Sequence, residues 1–192
     1  MANPLSTFAL RIGHSLTSLL PAIRDRILRG SKFRAKRVVV EQEQTLPASA
    51  DKVFPLFCPR REYDWIENWE CEILYSESGY AESNCVFVNS ATNDTWILTR
   101  YEPENGLFEA AIFASHLIIK VDLSLADNGD GTSRVKGICT ATATDRIGNW
   151  FIGKAASDRL KGRLKKLFSQ LEHYLTTGEM LVAQRANGRS AR

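Results

Sequence analysis

Hydrophobic and polar positions change their spacing three times along the chain. In residues 5–28, Leu5, Phe8, Ile12, Leu16, Leu19, Leu20, Ile23 and Ile27 recur at three- and four-residue intervals, which predicts one apolar stripe on a helix. Pro21 lies inside that stretch and predicts a kink or two shorter helices, because proline removes a backbone donor and crowds the preceding turn. From residue 38 the period shortens to two. Residues 38–45 read as a first strand, broken by Pro47-Ala48-Ser49-Ala50-Asp51. Ser49 is the expected N-cap of a short helix through Phe57, and a second short helix is expected over 61–66.

Strand-like runs follow at 71–76, 82–89, 95–101, 107–114, 117–126 and 133–144, separated by turn residues. In the fifth of these runs Leu117, Ile119, Val121, Leu123 and Leu125 alternate with Lys120, Asp122 and Ser124, the mark of a half-buried strand. Asn105-Gly106 predicts a tight hairpin with positive φ, and Asn128-Gly129-Asp130-Gly131 another turn. The helical period then returns. One helix is expected over 147–176, about 45 Å long, with Leu160, Leu164, Leu167, Leu171 and Leu175 as its deepest stripe and Gly178 as its stop. Arg159, Arg163 and the neighbouring lysines are assigned to its remaining surface.

This order predicts an α+β domain, a curved seven-stranded antiparallel sheet around a long C-terminal helix with two short helices after the first strand. A sheet bent over one helix leaves a wedge between the layers, expected to open toward the short helices. Gly137, Ala141, Ala143, Gly153 and Ala156 are expected to leave room in it. The chain divides into a basic amphipathic extension (1–37), the sheet-and-helix domain (38–178) and a basic tail (179–192).

Composition narrows the function classes. The 192 residues are 44% hydrophobic and 24% charged, ordinary for a globular protein. The net charge of +3 hides an asymmetry. Residues 1–40 carry eight Lys/Arg against Asp25, whereas residues 41–180 carry 14 basic and 21 acidic side chains. An acidic body argues against nucleic acid as the domain's partner. No run approaches the 18 or so apolar residues of a membrane span. The absence of a secretory-type leader and the scattered cysteines point to a reducing, cytoplasmic setting. Cys58, Cys71, Cys85 and Cys139 form no CxxC pair, and the three histidines share no ligand spacing, so no metal and no cofactor is expected. Asn93-Asp94-Thr95 matches a glycosylation acceptor and is read as chance.

The run Thr45-Leu46-Pro47-Ala48-Ser49-Ala50-Asp51-Lys52-Val53-Phe54, followed by Trp65-Ile66-Glu67-Asn68-Trp69, resembles the opening of the SRPBCC superfamily, which includes START-like lipid carriers, polyketide cyclases and the pollen-allergen family. The resemblance implies the helix-grip fold over roughly residues 38–176 and an apolar ligand held between sheet and helix. It implies no catalytic residue, because catalytic members share no motif.

Candidate ligand-binding residues follow from that cavity. Gln42 and Gln44, inward by alternation from Leu46, and Arg100 and Tyr101 are the polar groups for a ligand head, with the outer face of the sheet as their alternative. Trp65, Trp69 and Trp96 suit either a pocket mouth or the core. Cys139, Leu160 and Leu164 are candidate lining. His116 stands in an apparent hairpin turn and reads as an exposed histidine; in a cyclase-like alternative, His116 or Tyr101 would move a proton. The basic extension suggests a peripheral membrane contact through residues 5–37, an organellar leader, or a helix docked on the domain or on a second copy. An adaptor working through that helix, its cavity vestigial, is a third functional reading.

Overall fold

The computed structural model describes residues 33–153 and 155–182. The predicted amphipathic helix at 5–28, with its kink at Pro21, and all but the first positions of the basic tail at 179–192 fall outside the described residues.

Seven strands form one antiparallel sheet: β1 (Arg37–Leu46), β2 (Cys71–Tyr75), β3 (Val86–Asn89), β4 (Asp94–Glu102), β5 (Leu107–Phe113), β6 (Leu117–Asp127) and β7 (Ser133–Ala143). Their order is β1-β7-β6-β5-β4-β3-β2, so β2 to β7 succeed one another as neighbours while β1 pairs with the last strand. Between β1 and β2 lie helix α1 (Ala50–Val53) and 3-10 turns at Phe54–Phe57 and Glu62–Asp64. Ser49 precedes α1 with extended backbone, and its carbonyl accepts from Lys52 N and Val53 N. Pro55 explains why the α-helix gives way to a 3-10 turn, since its ring cannot continue the hydrogen-bond ladder.

Alternation puts Val38, Val40, Gln42, Gln44 and Leu46 of β1 on the inner face, opposite Ala141, Cys139, Gly137, Val135 and Ser133 of β7. The outer face is a lattice of ion pairs. Lys136 Nζ lies 2.8 Å from Glu41, Lys120 Nζ 3.3 Å from Glu109, and Arg100 Nη1 3.4 Å from Glu109. Exposed pairs of this kind contribute about 0–1 kcal/mol each, so they select the solvent face more than they stabilise it.

The tight Asn-Gly hairpin takes a different form. Pro103–Asn105 make a 3-10 turn, and Gly106 follows at φ 63°. A Cβ on Gly106 would stand 2.1 Å from the Leu125 carbonyl oxygen, so the close approach of β6 also demands glycine here.

The long C-terminal helix is two helices: α2 (Arg146–Phe151) and α3 (Ala156–Thr177), the latter about 33 Å long. Asp145 caps α2, accepting from Gly148 N at 2.8 Å. Ile152 then leaves helical geometry (φ −84°, ψ 52°) to bury its side chain with Ala141, Ala143 and Ala156. The helical spacing continues through the break, which is why periodicity alone joined the two. Gly178 closes α3 in the left-handed conformation, as expected.

Core packing is densest where α1, the 3-10 turns and the C-terminal half of α3 meet β3–β7. Val53, Phe54, Trp65, Phe87, Leu98, Phe168 and Leu171 are each at most 2% exposed there. Phe168, outside the leucine stripe, is among the most deeply buried residues of α3, together with Leu171. A Cβ on Gly137 would meet the Phe168 ring at 2.8 Å, so the space this glycine leaves is filled rather than open.

Candidate functional site

The inner face opens at the end away from α1. A cleft of about 240 Å³ lies between β1, β6 and β7 on one side and the α2–α3 corner on the other. Its floor is Val38, Leu117, Ile119 and Ala141. Phe151 and Ile152, from the end of α2, and Ala156 and Leu160, from α3, form its wall. The local sequence explains the room: Ala141 and Ala156 put methyl groups where larger side chains would meet, and the break at Ile152 turns the chain between α2 and α3.

Two cations border this apolar space. Arg159 and Arg163 stand four residues apart on α3, hence on one flank of the helix, and both line the cleft. Arg159 Nη2 donates to the Phe151 carbonyl at 2.9 Å. Arg163 lies near enough to Cys139 for its charge to favour the thiolate, although burial dominates and pushes that thiol up to about 11.

Behind the cleft wall, His116 Nδ1 lies 2.7 Å from Asp145 Oδ2, and the His116 ring packs 6.2 Å from that of Phe151. His116 does stand in the β5–β6 turn, but it is a half-buried partner of Asp145 rather than an exposed residue. Sequence reading missed this because 29 residues separate the two. Burial works to raise the Asp145 pKa, but the Gly148 amide and His116 outweigh it and hold the carboxyl below its usual range. Both Asp145 oxygens are engaged, one capping α2 and one holding the hairpin.

The predicted site residues scatter. Leu160 lines the cleft; Leu164 and Cys139 are buried in the adjoining core. Gln42 and Gln44 do face inward, but Gln44 Nε2 donates to Glu172 on α3 at 2.6 Å, and Gln42 Nε2 to the Glu43 carbonyl. Trp65 is core, its indole donating to the Leu56 carbonyl at 3.0 Å. Trp69 donates likewise to Pro59 and packs edge-on against Trp96 at 5.8 Å. Trp96 stacks on Phe87 at 5.4 Å, and its buried indole N–H lacks a partner among the described residues.

Arg100 lies on the outer face, away from any ligand between sheet and helix. A β-bulge between Leu98 and Arg100 breaks the alternation, so Tyr101 takes the inward place that Arg100 would have held. Tyr101 packs edge-on against Phe54 at 5.0 Å in the densely packed region, where burial, then the nearby Cys58 and Glu62, push its hydroxyl up to about 12. In the same region burial pushes the Glu62 carboxyl up to about 8. Neither group reaches the cleft. Toward the short helices the wedge is closed by the rings of Phe54, Phe57, Tyr101 and Phe108, while a more polar hollow of about 530 Å³ lies beside the 3-10 turn at Glu62–Asp64, lined by Arg60, Tyr63, Cys71, Glu72 and Ile73. Arg159 and Arg163 are exposed, as the sequence assigned them, and also border the cleft. Their spacing beside Ala156 and Leu160 was the signal available.

No protein-family model matches the sequence, and no curated protein does. Solved structures do match in fold. The structure of Ara h 8.0201 aligns with a TM-score of 0.58 at 16% identity, covering 74% of this chain and 99% of that one. A truncated norcoclaurine synthase from Thalictrum flavum gives 0.56 at 11% identity, over 77% and 98%. A START superfamily protein from Mycobacterium smegmatis gives 0.53 at 14% identity, over 72% and 97%. The chain therefore has the helix-grip fold that the resemblance at residues 45–69 implies. Between the sheet and the C-terminal helices this chain leaves the cleft at the α2–α3 corner.

Proposed function

We propose that the protein binds an apolar small molecule, of lipid, isoprenoid or polycyclic type, in the cleft between β1, β6, β7 and the α2–α3 corner. The observation that carries this reading is the apolar lining around an open space of about 240 Å³ between the sheet and the C-terminal helices. Removing apolar ligand surface from water would drive binding, at about 25 cal/mol per Å². Similarity in fold to norcoclaurine synthase and to a START superfamily protein supports a small-molecule partner without distinguishing carrier from enzyme. The cyclase-like alternative has less support, because no paired acid and base face the cleft and both Asp145 oxygens serve the fold. Residues 33–36 lie beside this cleft: Phe33 packs with its walls, and Asn149 of α2 bonds Lys36 N and the Arg34 carbonyl. That position suits the basic extension to a membrane contact next to the cleft mouth.

Native mass spectrometry of the full-length protein, followed by organic extraction, tests the reading. A stoichiometric apolar molecule lost in Ala156→Phe, which fills the cleft, is the expected result. Failure of the extract and of a panel of lipids and polycyclic compounds to bind or to raise Tm would overturn it.

A further inference from the structure

Cations on the sheet's outer face are matched by carboxylates: Lys136 by Glu41, Arg134 by Glu43, Lys120 by Glu109 and Asp122, Arg100 by Glu102 and Glu109. The two arginines at the cleft are not. Among the described residues no carboxylate pairs with Arg159 or Arg163, and no acidic side chain lines the space they border. In a body where acids outnumber bases, Arg159 and Arg163 set two guanidinium groups without a paired carboxylate beside an apolar floor. Arg159 is anchored by the Phe151 carbonyl, and Arg163 lines the same space one turn further along α3. Guanidinium is the side-chain group best shaped to grip a carboxylate or phosphate through paired N–H donors.

We infer that the cleft selects an apolar molecule with an anionic head, its carboxylate or phosphate held by Arg159 and Arg163 while a single chain or ring system lies on Val38, Ile119, Ala141 and Leu160. The inference rests on the proposed binding function and adds the head-group chemistry. Size supports one chain rather than two: about 240 Å³ is slightly below the roughly 300–1,000 Å³ of sites that enclose drug-sized ligands. A basic peptide segment, such as the chain's own N-terminal residues, is disfavoured as the occupant by like charge.

Isothermal titration of the full-length protein with decanoate, decyl phosphate and 1-decanol separates the contributions of head and tail. The anions are expected to bind about ten-fold or more tightly than the alcohol, in keeping with hydrogen bonds to a charged group. Added salt should narrow that gap. Whichever anion binds more tightly identifies the head as carboxylate or phosphate. Arg163→Gln, which removes no hydrogen bond given among the described residues, should lose part of the preference. Arg159→Gln/Arg163→Gln should bring the anions to the level of 1-decanol while 1-decanol binding is retained, with Tm lowered only by the loss of the Arg159 bond to the Phe151 carbonyl. Equal binding of alcohol and anions, or equal weakening of all three in the double variant, would overturn the inference and leave the binding function intact. Failure of all three to bind, with Ala156→Phe behaving as wild type, would remove both.

Discussion

At one end of the sheet's inner face Phe54, Phe57, Tyr101 and Phe108 meet in edge-on and tilted ring contacts of 5.0–6.4 Å. At the other, Ala156 of α3 faces Val38 and Ala141 of the sheet across the cleft. The same sheet forms both ends, but the 3-10 turn Phe54–Phe57 carries rings over one and the break at Ile152 turns the chain over the other, so side-chain volume and backbone path together make the difference. Aromatic rings reach across the layer gap and close it, whereas alanines leave it open. Polar chemistry divides along the same line. Glu62 and Tyr101, at the filled end, are driven toward their neutral forms by burial. Arg159 and Arg163, at the open end, stay exposed and charged. A cavity built this way accepts an anion at its rim and offers the packed end no space for one.

Matched truncations give the largest expected contrast. Phe168→Ala, at a residue 1% exposed, should cost about 3–5 kcal/mol in urea unfolding. Leu160→Ala, on the half-buried cleft wall, should cost roughly 1–2 kcal/mol, below the fully buried leucine range. Equal costs would mean that the cleft is as well packed as the core. Added volume sharpens the same comparison at smaller amplitude. Gly137→Ala would press a methyl on Phe168, Leu123 and Leu164 at 2.8–3.2 Å and should destabilise by about 1–3 kcal/mol. Ala141→Val, facing the cleft, should cost less than about 1 kcal/mol and weaken ligand binding instead.

The smallest effect is a pH slope. Glu62 keeps its proton up to about 8 when folded and releases it near 4.5 when its burial is lost. Between those values the folded state binds more protons, so stability falls as pH rises through the window. Glu62→Gln should flatten the fall in urea midpoint between pH 5 and pH 8. An unchanged slope would show that the carboxyl is not desolvated.

Local rules carried far along this chain. Alternation in β6 and the order of seven strand-like runs fixed the sheet, because a one-residue slip would turn every apolar side chain to solvent. The run at residues 45–54 with the tryptophans at 65 and 69 pointed to the helix-grip fold, and the inward set of Gln42 and Gln44 followed from counting back from Leu46. Three features needed the tertiary structure. The bulge between Leu98 and Arg100 exchanged the faces of Arg100 and Tyr101, and a bulge costs one residue of register without a sequence mark. The break at Ile152 kept the helical spacing while changing the path of the chain. The cleft itself depends on which small residues end up opposite one another. Gly137 and Ala141 sit two steps apart on β7, yet Phe168 fills the space over the first and the space over the second stays open. Periodicity specifies which way a side chain points; what stands across from it is decided only when distant segments pack.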